Sequence, residues 1–176
     1  MSRHRLAGIV SGAVMLAATF AGGAALAQQP NPLDNIPDQM PFNVPYGAPI
    51  GADKAHEVIV AAANEAKKRG WPMNIAVVDG GGNLVAFTRM DGAQLGSIEI
   101  SQHKARAAAK FRRETKIFEG AIQNGLNYLI TLDGIIGSRG GIPLVEGGKL
   151  VGAIGVSGGT GSQDEVVAKA GAALVK

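Results

Sequence analysis

The chain has no cysteine in its 176 residues. Disulfides, thiolate metal sites and a lipid anchor through an N-terminal cysteine are therefore excluded, and the fold must be held by packing alone. Aromatic residues are scarce, at 5% against 46% hydrophobic residues overall, which predicts a core of Ala, Val, Ile and Leu rather than large rings. No twin-arginine pair stands near the start. Neither a phosphate-loop G-x-x-x-x-G-K-[ST] nor an H-E-x-x-H zinc pattern occurs. Excess positive charge is nearly absent as well. Arg3 and Arg5 belong to a leader without acidic residues, and removing them from the 17 Lys+Arg leaves 15 against 14 Asp+Glu. A balance near +1 gives no electrostatic case for nucleic acid or an anionic membrane surface.

Residues 1–27 have the three parts of a secretory signal: the basic start, the apolar run LAGIVSGAVMLAATF, and Ala25-Leu26-Ala27 as an A-x-A cleavage site. Export to the periplasm or medium, without a membrane anchor after cleavage, is the expectation. Residues 28–51 form a proline-rich arm holding six of the eight prolines, which forbid helix and favour an extended path. Phe42, Val44, Tyr46 and Ile50 are apolar anchors that would let this arm strap onto a folded body; without such docking it is a spacer.

Periodic structure begins at Ala52. The spacing of Ala52, Ala55, Val58, Ile59, Ala62, Ala63 and Ala66 predicts a helix to Arg69 with one broad apolar face, closed by Gly70. His56 falls inside that face. MNIAVVD, GGGN and LVAFTRM then read as strand, turn and strand, as do IPLVE, GG and KLVGAIGVSG further on. Between the hairpins come a helix over residues 97–111, a second helix over 115–125 that Thr115 would cap, and the apolar segment NYLITL. A last helix follows the glycine-rich GVSGGTGSQDE, with Ser162 and Asp164 available to cap it. Two hairpins among helices predict an α+β domain over residues 52–176. Its sheet, antiparallel and of about five strands, would be covered by helices on at least one face.

The glycines of VVDGGGNLVAF are turn residues rather than a phosphate loop, because a strand follows them. GVSGG lacks the G-x-S-x-G register of a nucleophile elbow. With His4 in the leader, only His56 and His103 remain as imidazoles, and neither sits beside a recognisable nucleophile. In SIEISQHKARAAAKF a helical wheel places Glu99, His103, Arg106 and Lys110 on one polar stripe beside Ile100, Ala107 and Phe111. That boundary suits either an amphipathic helix, with His103 neutral or paired with Glu99, or a cofactor wall. In the second case imidazole would ligate while Arg and Lys meet acidic groups. His56, on an apolar face, must find a partner: a carbonyl, an iron or another subunit.

The segments NIAVVDGGGNLVAFTRMDGA, SQHKARAAAKFRRETK and GGIPLVEGGKLVGAIGVSGGTGSQDEVVAKAG, in that order, resemble the GlcG/HbpS family of haem-binding, haem-degrading-type domains. The resemblance covers residues 52–176. It implies a profilin-like α/β sandwich and assembly into a homo-oligomer, octameric in some members. It also implies haem or iron handling and redox protection in exported members. The haem-ligand histidine of some members matches either His103, where other relatives carry Glu, or His56 in the first helix. Arg106, Lys104 and Lys110 would then face the propionates. Glu99 is the nearby carboxylate, alone where one branch uses an acidic pair for iron. Relatives in glycolate-type gene clusters imply a different role, as an accessory enzyme or small-carboxylate binder. There the loop Gly158 to Gly161 with Arg106 would hold the acid. A third role is an interaction scaffold acting through its oligomer surface and arm.

Overall fold

The computed structural model describes residues 36–40 and 42–176. The leader at 1–27 and the first part of the arm lie outside them. Among the described residues, four α-helices and four strands follow in the order α1 (Ala52–Arg69), β1 (Asn74–Asp79), β2 (Leu84–Arg89), α2 (Ser97–Phe111), α3 (Lys116–Gln123), β3 (Gly141–Glu146), β4 (Lys149–Ser157) and α4 (Gly161–Ala172). Both hairpins form where the turn residues require them. The sheet order is β2-β1-β4-β3, and every pair is antiparallel.

The two faces of the sheet are packed with different material. Alternation along β1 sends Ile75 and Val77 to one side, with Ile154 and Val156 of β4 and Ile142 and Leu144 of β3. There they meet Val58, Ile59 and Ala62 of α1 and Val167 and Ala168 of α4. Ala76, Val78 and Ala153 point the other way, onto Ala105, Ala108 and Ala109 of α2. Small side chains let α2 approach its strands closely. Gly155, paired between Ala76 and Gly141, lies directly under the helix, and a Cβ there would collide with the Ser101 carbonyl and the Ala105 amide. Phe111 and Phe118 then tie α2 to α3, edge to face with ring centroids 5.3 Å apart.

Four strands rather than about five form the sheet, and the difference lies in NYLITL. Asn127–Thr131 is a 3₁₀ helix, with Leu129 and Leu132 amides donating to the carbonyls of Leu126 and Leu129. None of its residues is buried, and Tyr128 and Ile130 are exposed, so there is no alternating face to add to a sheet. Thr115 stands at the N-cap of α3 but does not cap it through its side chain. Its hydroxyl accepts from the amide of Gly141 at 2.9 Å instead, fixing the start of β3.

The described part of the arm beyond residue 41 is bonded to the body as a strap. Leu150 donates its amide to the Pro45 carbonyl at 2.8 Å, Gly47 donates to Leu150 at 2.7 Å, and Ile50 donates to Val151 at 2.8 Å. Tyr46 and Leu150 form a parallel bridge. The β1–β4 pairing ends at Asp79 and Gly152, so the arm takes over the lane beside β4 that β1 vacates. Among the described residues, no helix is long and apolar enough to cross a membrane.

Candidate functional site

The sheet separates the two candidate histidines. His103 is half-buried on the outer side of α2, while His56 is on α1, packed against the opposite face. One iron cannot take both imidazoles from a single copy of this chain. His56 is also exposed rather than part of the buried stripe of α1, which runs through Ala55, Val58, Ile59, Ala62, Ala63 and Ala66. The expectation that His56 lies within the apolar face is corrected: it stands on the flank, toward exposed Val60, where the imidazole keeps its water. Among the described residues no hydrogen bond or ion pair joins His103 to Glu99, and no group of three His, Asp and Glu residues gathers as a metal site.

Arg106 and Lys110 do come together. Their aliphatic stems lie across Gly82 in the β1–β2 turn. At φ +86°, a Cβ there would stand 3.0 Å from Lys110 Cε and 3.5 Å from Arg106 Cγ. Gly82 thus serves both the left-handed backbone and the passage of two cations over it. Neither side chain has an ion-pair partner among the described residues.

Lys104 does not join them. Its side chain is 1% exposed and runs to the other flank of α2, where Nζ donates to Asp164 Oδ2 at 2.7 Å. Positions 97, 101, 104 and 108 all fall on the sheet side of the helix, so Lys104 cannot face a ligand on the outer side. Asp164 Oδ1 accepts from the Gly159 amide, so one carboxylate links α2 to the loop before α4. Burial pushes the Asp164 carboxyl up, against the opposing pull of Lys104 and of the Gly159 and Gly158 amides.

That loop is occupied by the protein itself. Thr160 is the N-cap of α4 in a capping box, with the Thr160 amide donating to Gln163 Oε1 at 2.8 Å and the Gln163 amide donating back to Thr160 Oγ1. The expected pairing of Gly158 to Gly161 with Arg106 around a small carboxylate does not form. Gly158 borders Pro72 and Met73 at the start of β1, whereas Arg106 covers the turn after its end. Six strand residues separate them, about 20 Å.

The cleft nearest the cations was not visible from sequence. It has a volume of about 530 Å³ and is lined by Tyr46, Gly47 and Pro49 of the arm, Asp79, Gly80 and Gly81 of the turn, and Lys110. Tyr46 donates its hydroxyl to the Lys110 carbonyl at 2.9 Å. Burial pushes the Asp79 carboxyl up, but the Asn83 side chain and the amides of Asn83, Gly81 and Gly82 outweigh it and hold the group below its ordinary value.

The family model described as haem degrading protein HbpS-like matches residues 50–173. The chain belongs to the HbpS-like family. GlcG of Escherichia coli K12 is 46% identical over 103 residues, covering 58% of this chain and 77% of that protein. Among solved structures, a double mutant of Streptomyces reticuli HbpS superposes with a TM-score of 0.69 at 29% identity, over 80% of this chain and 99% of its own. A complex of PduOC with haem gives a TM-score of 0.66 at 26% identity, over 73% of this chain and 96% of its own. The HbpS-like fold, a sheet between helical layers, is thus the one expected from sequence.

Proposed function

We propose that this is an exported, oligomeric haem-binding protein acting in haem or iron handling or redox protection. The observation that carries the reading is membership of the HbpS-like family across residues 50–173, together with a structural relative seen as a haem complex. The outer side of α2 supplies suitable chemistry: one half-buried imidazole, His103, with the guanidinium of Arg106 and ammonium of Lys110 on the same stripe. His56 is the rival ligand on the opposite layer. Exposed Ile117, Tyr128, Ile130 and Leu132, on and after α3, favour assembly with further copies. The leader at 1–27 favours export followed by cleavage.

Haemin titration of the mature protein tests the reading. A Soret band should appear at micromolar haemin and be lost in His103→Ala or in His56→Ala, but not in both single variants independently. An unchanged band in both single variants and in the double variant would remove imidazole ligation, and absence of any haemin uptake would remove the function.

A further inference from the structure

We infer that the cleft between the arm and the β1–β2 turn is a binding site for a flat, apolar acid of the tetrapyrrole class, with the arm as one of its walls. The inference rests on the haem-binding reading and adds a site that holds the organic ring system whether or not iron is present.

Four observations converge on it. The cleft, at about 530 Å³, is in the range of about 300–1,000 Å³ that small-molecule sites occupy. Its walls are the Tyr46 ring, Pro49 and the backbone of Gly47, Gly80 and Gly81, which present flat apolar surface rather than competing side chains. Lys110 is the lining cation; it is exposed, lacks an ion-pair partner among the described residues, and has its stem held across Gly82. The carboxylate in the lining, Asp79, accepts from the Gly81 and Asn83 amides and the Asn83 side chain, and it makes no ion pair with Lys110 among the described residues. A ligand acid would meet Lys110, with the ring body against Tyr46 and Pro49.

The arm wall is held by the end of the helix that carries the other candidate residues. Arg112 donates Nη1–H to the Val44 carbonyl at 3.0 Å and stacks over Phe42 and Tyr46, at 5.0 and 5.2 Å from the ring centroids. Arg113 covers Phe42 at 4.2 Å. Arg112 reaches these partners from a left-handed conformation, φ 53°, the only positive φ at a non-glycine residue among those described. The C-terminus of α2 therefore fixes the arm, and the arm completes the cleft.

The probe is metal-free protoporphyrin IX, followed by its own fluorescence, on the mature chain. Micromolar binding is expected. Lys110→Met should weaken it about tenfold, as for loss of one charge-assisted contact. Tyr46→Ala should weaken it further, and the dimethyl ester of the porphyrin should show no difference between wild type and Lys110→Met. Lys110 is exposed, so that variant folds; Tyr46→Phe retains the ring but loses the bond to the Lys110 carbonyl, and should bind more tightly than Tyr46→Ala. The histidine variants should retain protoporphyrin binding while losing the haem Soret signature. Haemin binding without protoporphyrin binding would overturn the cleft and leave the haem function standing. Equal protoporphyrin affinity in wild type, Lys110→Met and Tyr46→Ala would also overturn it. Failure of both pigments to bind would overturn both proposals.

Discussion

The two faces of this sheet solve the same packing problem in opposite ways. On the α1 and α4 side, Ile, Val and Leu fill the space between layers, so cohesion comes from apolar volume. On the α2 side, alanine and glycine remove that volume and bring helix backbone onto strand backbone. A close-packed layer gains contact density and loses tolerance, since neither element can shift to admit an extra methyl. The binding candidates Arg106 and Lys110, together with His103, ride on the intolerant layer. Their outward positions are fixed by what lies beneath α2.

The buried ion pair offers the largest perturbation of the α2 layer. Lys104→Met should cost about 3–5 kcal/mol in denaturant unfolding, because the buried Asp164 carboxyl loses its ion-pair partner. Lys104→Met with Asp164→Leu should recover most of that loss. If the double variant is no more stable than the single one, the pair is needed as a pair. Adjacent residues of β4 then compare the two faces directly. Ile154→Ala should cost about 2–4 kcal/mol by leaving a cavity among the aliphatics. Gly155→Ala should cost about 1–3 kcal/mol for the opposite reason, crowding against Ser101 and Ala105. A neutral Gly155→Ala would mean that α2 can lift from the sheet, and the contrast between faces would fail.

The smallest expected effect concerns the ion-pair network joining α3 and α4, in which half-exposed Lys116 and Lys169 meet the 10% exposed side chain of Glu165. Burial alone would raise the Glu165 carboxyl, but Lys169 and Lys116 lower it below its ordinary value of 4.5. Its folded pKa is depressed, so its contribution is complete above pH 4.5 and is lost as pH falls through the lowered value. Glu165→Gln should cost about 1 kcal/mol or less at pH 7 and flatten the acid limb of a stability–pH profile. An unchanged limb would assign acid sensitivity to other groups, Asp79 among them.

Much of this was legible in the residues, and the rest failed for identifiable reasons. Helix α1 ends at Arg69, where Gly70 closes it, and both hairpins form around their glycine turns. NYLITL misled because an apolar run of six does not state its period. Lys104 misled for a different reason. Its neighbours His103 and Arg106 face outward, yet its own position shares a face with Ser97, Ser101 and Ala108, and only the distant Asp164 accounts for a lysine there. The cleft was hidden because Tyr46 and Lys110 are 64 residues apart, and no local pattern reports such a meeting. Tyr46 as an arm anchor and Lys110 as a cation were each evident separately.

The lane that the arm occupies beside β4 has a practical consequence for shortened versions of the protein. A version beginning at Ala52 would match the periodic part of the sequence, yet it would strip the partners from the Leu150 amide and from the Leu150 and Val151 carbonyls. Those groups would become a short open sheet edge bordered by apolar side chains, a template for strand exchange between molecules. Solubility of such a truncated chain would then report on edge protection and not on the quality of its core.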